Sequence, residues 1–335
     1  MTTISDPSIG ELARAAEILR QGGLVAFPTE TVYGLGANAL EVEAVARVFE
    51  VKGRPLFDPL IVHVAGTNEV APIVRRFPKI AQTLAAQFWP GPLTLVLPKS
   101  LLVPDLVTAG CPTIAVRVPD HPVALELLRL AGVPLAAPSA NLFGRISPTT
   151  AAHVREQLGE SIDLILDGGP CRVGVESTVL QLTEDQPILL RPGGTPIEEI
   201  ESLIGPVSVP SPVACEPTKP GLTSPGTLPQ HYAPRTPLAI VRERATVPGL
   251  NETDANAGSP SRIGLLAFTS PSDVGRFEAV EVLSAAGDLR EATTRFFAAL
   301  RRLDAAGLDL IVAETFPERG LGRALNDRLR RAEHG

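Results

Sequence analysis

Leu24-Val25-Ala26-Phe27-Pro28-Thr29-Glu30-Thr31-Val32-Tyr33-Gly34-Leu35-Gly36 decides how the rest of the chain is read. Its four leading apolar residues form a short buried strand that runs straight into two threonines and a glutamate. Upstream, Ser8-Ile9-Gly10-Glu11 is a capping box. It opens a helix with Leu12, Ala15, Ala16 and Leu19 on one face, and Gly22-Gly23 ends it. Helix then strand, repeated, marks an α/β chain, and α/β sheets place ligands at the C-terminal ends of their strands. On its residues alone, the Thr-Glu-Thr segment reads first as a tight turn whose hydroxyls satisfy backbone groups.

The alternation continues downstream. Residues 60–64, 93–97, 113–118, 133–137, 164–166, 178–182 and 188–190 read as short buried strands, with helices over 41–49, 80–88 and 122–130. Thr195-Pro196-Ile197-Glu198 combines a cap, a proline at the first helical position and a closing glutamate. Between Gly205 and Pro237 the composition breaks, with nine prolines in 33 residues, a density that forbids helix and discourages sheet. After the break, strands are expected over 263–268, 280–283 and 310–313. Asp288-Leu289-Arg290-Glu291 caps a helix whose stripe is Leu289, Phe296, Leu300 and Leu303. The expected organisation is a mixed-sheet α/β domain over 1–204, a Pro-rich connector over 205–237 and a small Rossmann-like domain over 238–335.

Composition excludes several classes. The chain has 335 residues, 44% hydrophobic and 20% charged, a globular balance that suits two domains. No apolar run approaches the roughly 20 residues of a membrane-spanning helix. Glu11, Arg14, Glu17 and Arg20 stand where a secretory signal would be apolar, so a soluble, cytoplasmic protein is expected. Cys111, Cys171 and Cys215 are too dispersed for a disulfide framework or a CxxC metal site. A net charge of −7 argues against a broad nucleic-acid surface. There is no P-loop, GxSxG or HExxH, and the GxG of Gly34-Leu35-Gly36 lacks the third glycine of a dinucleotide fingerprint.

What remains is a set of polar residues planted in apolar strand ends. Lys52-Gly53-Arg54-Pro55 offers two cations just after a helix, where they could also be simple dipole partners. His63 lies inside an apolar run and reads either as a satisfied core histidine or as a ligand contact. Arg117 in Thr113-Ile114-Ala115-Val116-Arg117-Val118 needs a partner: an internal acid, or the carboxylate of a ligand. Ala137-Pro138-Ser139-Ala140-Asn141 ends a strand in small residues that permit close approach to phosphate. Ser147, Asp167-Gly168-Gly169, Val175-Glu176-Ser177-Thr178 and Leu190-Arg191-Pro192-Gly193 add hydroxyls and a further cation. Four cations, Lys52, Arg54, Arg117 and Arg191, suit a polyphosphate plus a carboxylate, handled by charge stabilisation.

The ordered series FPTETVYGLG (27–36), KGRP (52–55), PLIVHV (59–64), WPGPLT (89–94), TIAVRVP (113–119), APSAN (137–141), DGG (167–169), GVEST (174–178) and LLRPG (189–193) resembles the YrdC-like domain of the threonylcarbamoyl-AMP synthases. SPGTLPQHYAP (224–234) and FPERGLG (316–322) resemble the longer, two-domain form of that family.

The resemblance implies a YrdC-like twisted mixed sheet followed by a smaller Rossmann-like domain. It also implies a nucleotidyltransferase that condenses L-threonine, bicarbonate or CO2 and ATP to threonylcarbamoyl-AMP and pyrophosphate. Mg2+ would ride on the ATP phosphates, with no dedicated protein metal site. The product would pass to a tRNA threonylcarbamoyl transferase machinery, with no stable nucleic-acid complex and no membrane required. By the same resemblance Thr31, His63, Arg117, Ser139 and Ser177 line the threonine pocket. Lys52, Arg54, Asp58, Thr113, Asn141, Ser147, Arg191 and the connector's Tyr232 hold ATP, with Lys52 and Arg54 catalytic. Asp58 stands at an ATP-side position that is often asparagine in the family, and as an anion it could act through backbone or metal. The rivals are a carbamoyl transferase of hydrogenase maturation, whose cysteine-rich zinc motifs are missing here, and an RNA-binding YrdC-like module without synthase activity.

Overall fold

The computed structural model describes residues 3–183, 186–210, 231–241 and 262–333. Most of the expected connector, 211–230 with Cys215 and the SPGTLPQ part of its motif, lies outside the described residues. Two compact units emerge. One comprises the described residues of Met1–Phe143 and Ser147–Thr227. The other comprises Gly144–Ile146 together with the described residues from His231 onward.

In the first unit the strands are β1 (Ile4–Ser5), β2 (Val25–Phe27), β3 (Gly34–Asn38), β4 (Ile61–His63), β5 (Leu93–Pro98), β6 (Thr113–Arg117), β7 (Leu135–Ala136), β8 (Leu164–Leu166), β9 (Thr178–Gln181) and β10 (Ile188–Arg191). The helices are α1 (Ile9–Arg20), α2 (Val42–Lys52), α3 (Lys79–Phe88), α4 (Pro122–Ala131), α5 (Ala151–Leu158) and α6 (Ile197–Ile204). The strands make one sheet in the order β1-β8-β2-β3-β7-β4-β6-β5-β9-β10. It is mixed: β4–β6 and β5–β9 are parallel, whereas β2–β3, β3–β7 and β5–β6 are antiparallel.

The expected strands and helices form, and Ser8 caps α1 by accepting the Glu11 N–H at 3.3 Å. Strands β1 and, in the second unit, Leu238–Val241 are additions to the sequence reading, and three further details of the first unit differ from it. Gly34–Asn38 is a strand, β3, rather than the tail of a turn; its glycines belong there because a Cβ on Gly36 would sit 2.8 Å from Phe27 Cε1. Helix α6 is capped at Pro196 without a side-chain bond, and the backbone of Thr195 is tied to Thr178, whose Oγ1 accepts its N–H and donates to its C=O. Helix α5, capped by Thr150, joins those foreseen.

Period-2 alternation decides which residues meet. Helices α1 and α4 cover Val25, Phe27, Leu135, Leu164 and Leu166 on one face of the sheet. The opposite face, with Val62, Leu95, Val116 and Leu180, belongs to the main core. The first face continues past α1 and α4 as Ile61, Val96, Ala115 and Val179, a small apolar floor. His63, Thr94 and Arg117 alternate in phase with that floor. His63 and Arg117 are direct register partners across the parallel β4–β6 pair.

The second unit carries β11 (Leu238–Val241), β12 (Ile263–Ala267), β13 (Ala279–Val282), β14 (Leu310–Glu314), α7 (Leu289–Ala305) and α8 (Leu321–Glu333). Its sheet, β11-β14-β12-β13, is parallel throughout. Asp288 caps α7 as expected, accepting from Arg290 and Glu291, and Phe296, Leu300 and Leu303 are buried while Leu289 is half-exposed. Among the described residues, no helix is long and apolar enough to cross a membrane.

Candidate active site

Arg117 ends β6 with its side chain on the floor described above. Its Nη2 lies 2.5 Å from Glu30 Oε1, and its Nη1 donates to Thr31 Oγ1 at 3.0 Å. The structure supplies the internal acid of the first reading, and Thr31, expected in the threonine pocket, sits on the other arm of the guanidinium. Beside it, His63 is buried with its Nδ1 lacking a hydrogen-bond partner. Burial first and the Arg117 charge second lower the His63 pKa to about 3, so the imidazole is neutral near pH 7.

The Thr-Glu-Thr turn is held from several sides. Val173 and Gly174 donate N–H groups to the carbonyls of Glu30 and Thr31, which brings the GVEST segment alongside. Ala140 N–H donates to Tyr33 O, and Tyr33 N–H to Pro148 O, which brings APSAN and Ser147 to the other flank. Tyr33 donates its phenol proton to Gly169 O at 2.8 Å, joining the DGG motif. Motifs scattered over 27–178 thus converge on one turn.

Lys52 ends α2 and is fully buried. Its Nζ donates to Ser139 O at 2.5 Å and to Asn141 O, so two of three ammonium donors hold the end of APSAN. Burial, then the Arg54 charge, holds the Lys52 pKa well below that of a free lysine, with Asp58 opposing. Arg54 donates to the carbonyls of Asp58 and Pro59. Its Nη2 also lies 2.9 Å from Asp58 Oδ2. Asp58, expected on the ATP side, is buried with its carboxylate committed to this pair.

On the far side of the floor, Ser177 Oγ and Thr94 Oγ1 are 2.8 Å apart. Arg191 Nη2 donates to Ser177 O at 2.9 Å and contacts its Oγ at 3.3 Å. A residue expected on the threonine side and one expected on the ATP side therefore meet. The LLRPG turn lies directly on this strand, since a Cβ on Gly193 would overlap the backbone of Glu176, Ser177 and Thr178. Ser147 donates to Glu176 Oε1 at 2.5 Å.

Thr113 starts β6, opposite Pro98 and four residues, or about 13 Å of strand, from Arg117. Tyr232 belongs to the second unit and is buried against Phe297 and Arg328 there, at ring and guanidinium distances of 5.7 and 5.0 Å. Sequence reasoning missed the roles of three residues: Glu30, Glu176 and Thr94. All three sit in quoted motifs, and the two acids adjoin hydroxyl residues, Glu30 on both sides and Glu176 on one, a signal that they anchor neighbours. Among the described residues no group of three or more His, Cys, Asp or Glu side chains is placed to hold a metal ion.

Known proteins place this geometry in context. A family profile described as Telomere recombination (Sua5/YciO/YrdC) matches residues 17–193, and one described as Threonylcarbamoyl-AMP synthase, C-terminal domain, matches 195–333. The threonylcarbamoyl-AMP synthase of Pyrococcus abyssi is 45% identical over 323 residues, covering 95% of this chain and 92% of its own. That of Bacillus subtilis is 44% identical over 333 residues, covering 99% and 94%. A crystal structure of Pyrococcus abyssi Sua5 complexed with L-threonine matches with a TM-score of 0.88 at 43% identity, covering 97% of this chain and 94% of that one. Profiles over both parts and full-length relatives on either side agree: the chain belongs to the threonylcarbamoyl-AMP synthases, nucleotidyltransferases of tRNA modification that take ATP as a substrate.

Proposed function

We propose that this enzyme condenses L-threonine, bicarbonate or CO2 and ATP to threonylcarbamoyl-AMP and pyrophosphate on the sheet face that carries His63 and Arg117. The observation that carries this reading is the placement of Arg117. A buried guanidinium on an apolar floor, with Thr31 on one arm and neutral His63 beside it, suits an amino-acid carboxylate and a hydroxyl side chain. Ser139 and Ser177 complete the threonine pocket. Lys52, Arg54, Thr113, Asn141, Ser147 and Arg191 take ATP, and Asp58 acts through Arg54.

Threonine's amine and CO2 give a carbamate, with bicarbonate losing water on the way. A carbamate oxygen then attacks the α-phosphorus of ATP. The bond between the α-phosphorus and the bridging oxygen breaks, and pyrophosphate leaves with that oxygen. Such a reaction asks for positioning and charge neutralisation more than covalent help. Lys52 and Arg54 supply the charge, and the third donor of Lys52 is the one left for a phosphate. Mg2+ carried by the phosphates would neutralise further charge. Asp58 and Glu30 are already paired with arginines and Glu176 accepts from Ser147, which suits a metal held by nucleotide and water rather than by a protein cage.

In this reading 1–204 is the catalytic domain, 205–237 a connector whose Tyr232 serves as a lid, and 238–335 a small supporting domain. A lid would shield the labile adenylate from water until a tRNA threonylcarbamoyl transferase takes it, in the cytoplasm. The test is a pyrophosphate-release assay with each substrate omitted in turn. Release that needs threonine, bicarbonate and ATP together supports the synthase. Release without threonine, or none alongside tight tRNA retention on a filter, overturns it.

A further inference from the structure

Three residues inside the ATP-side loop 141–147 group with the second unit. Gly144–Ile146 cluster there, while their chain neighbours Phe143 and Ser147 belong to the first. Within the second unit this excursion is held in two ways. Ala233 donates its N–H to Gly144 O at 2.8 Å, and Arg145 and Ala233 form an isolated parallel bridge. Arg301 on α7 donates from Nη2 to Ile146 O at 2.5 Å, and Ile146 is itself buried.

The same helix face seats the end of the connector. Phe297 is one turn before Arg301, so the two point the same way. Phe297 packs on Tyr232, which also meets the His231 ring at 4.1 Å and Arg328 of α8. Arg328 is in turn fixed by Asp327 at 2.6 Å, and Asp327 also holds Arg331, whose C=O accepts the His231 N–H. Tyr232 adopts a left-handed φ of 66°, a conformation that a bulky residue keeps only when its surroundings impose it. One face of α7 thus grips two segments: His231–Ala233, and the excursion flanked by Asn141 and Ser147.

We propose that Arg301 is a positioning residue for the synthase reaction, acting through Ile146 to set the 141–147 loop for ATP. The inference rests on the assignment of Asn141 and Ser147 to ATP. A charged donor on a backbone carbonyl fixes the loop more strongly than a neutral one and cannot be replaced by a hydrophobic side chain of the same length.

The test uses the full chain. Arg301→Met should raise the KM for ATP roughly tenfold while the calorimetric Kd for threonine and the melting temperature stay at wild-type values; Arg301→Lys should restore most of the loss. An unchanged KM for ATP, or equal losses for both substrates with a lowered melting temperature, overturns the proposal. A measurement without any variant stands beside it: ATP should slow hydrogen exchange at the Ala233 amide of the wild-type chain, and threonine alone should not. Exchange indifferent to ATP also overturns it. Asn141→Ala and Ser147→Ala separate the underlying assignment. If neither raises the KM for ATP, that assignment has failed. If both do and Arg301→Met does not, only the role of Arg301 has failed.

Discussion

Arg117 and Glu30 form an ion pair sealed from solvent, with 2.5 Å between Nη2 and Oε1 and exposures of 4% and 0%. Removing one member of such a pair strands the other charge, at a cost of about 3–5 kcal/mol. Arg117→Met should therefore both destabilise the protein and abolish threonine binding. Glu30→Gln added to it removes the stranded charge and should recover much of the stability while threonine binding stays lost. Urea denaturation and threonine calorimetry on the single and double variants read the two effects apart. Threonine affinity that returns with stability would show Arg117 to be structural only.

Lys52 is held below its ordinary pKa by burial and by Arg54. Phosphates beside it favour the charged form, so ATP binding should raise its pKa. Calorimetry of ATP binding in buffers of different ionisation enthalpy, run over a rising pH series, should detect proton uptake at the alkaline end, where Lys52 of the free enzyme has begun to lose its proton, and Lys52→Met should abolish it. The same binding enthalpy in every buffer would refute this.

His63 has the opposite exposure to acid. Its pKa is about 3 in the folded chain against an ordinary 6.5, so the folded state favours the neutral ring. Its contribution is complete above about pH 6.5 and is lost as pH falls toward 3. Within that window each pH unit removes about 1.4 kcal/mol. His63→Gln should flatten the loss of stability between pH 6.5 and 4.5, measured by urea midpoints; parallel slopes for the two proteins would contradict it.

The LLRPG turn leaves no room above the GVEST strand. Gly193→Ala must push backbone against backbone, which cannot be relieved by a rotamer change. It should displace Ser177 and Arg191 together, lower the melting temperature and impair both substrates. Gly53→Ala is the control: its φ of 60° is strained for alanine, but nothing lies within 4 Å of its Cβ, so only a local stability cost is expected. Equal, small effects at both positions would refute the packing argument.

Much of the first unit was legible because its strands are short apolar runs; that His63 and Arg117 share a face was not, because it follows from the β4–β6 register, a tertiary fact. Strand β3 was not: Gly-Leu-Gly has poor strand propensity, and its reason for being there is the Phe27 ring two registers away, a tertiary fact. Helix α8 hides for a related cause. Its Asn326, Asp327 and Arg328 look like a solvated face, yet all three are buried among their own partners. The site residues were legible through ordered motifs. Their pairing was not, since nothing in a sequence says that Glu30 answers Arg117 or that Glu176 answers Ser147.

The buried acids have a kinetic consequence. Arg54 and Arg117 each carry an anion at contact distance, in a chain whose net charge is −7. With two of its four cations countered, the site casts less field into solvent than its cation count suggests, and ATP is itself an anion approaching an acidic molecule. Nucleotide arrives with weak electrostatic steering, so its association rate should change little with added salt, and selectivity for ATP is exercised after arrival, in how long the bound nucleotide stays.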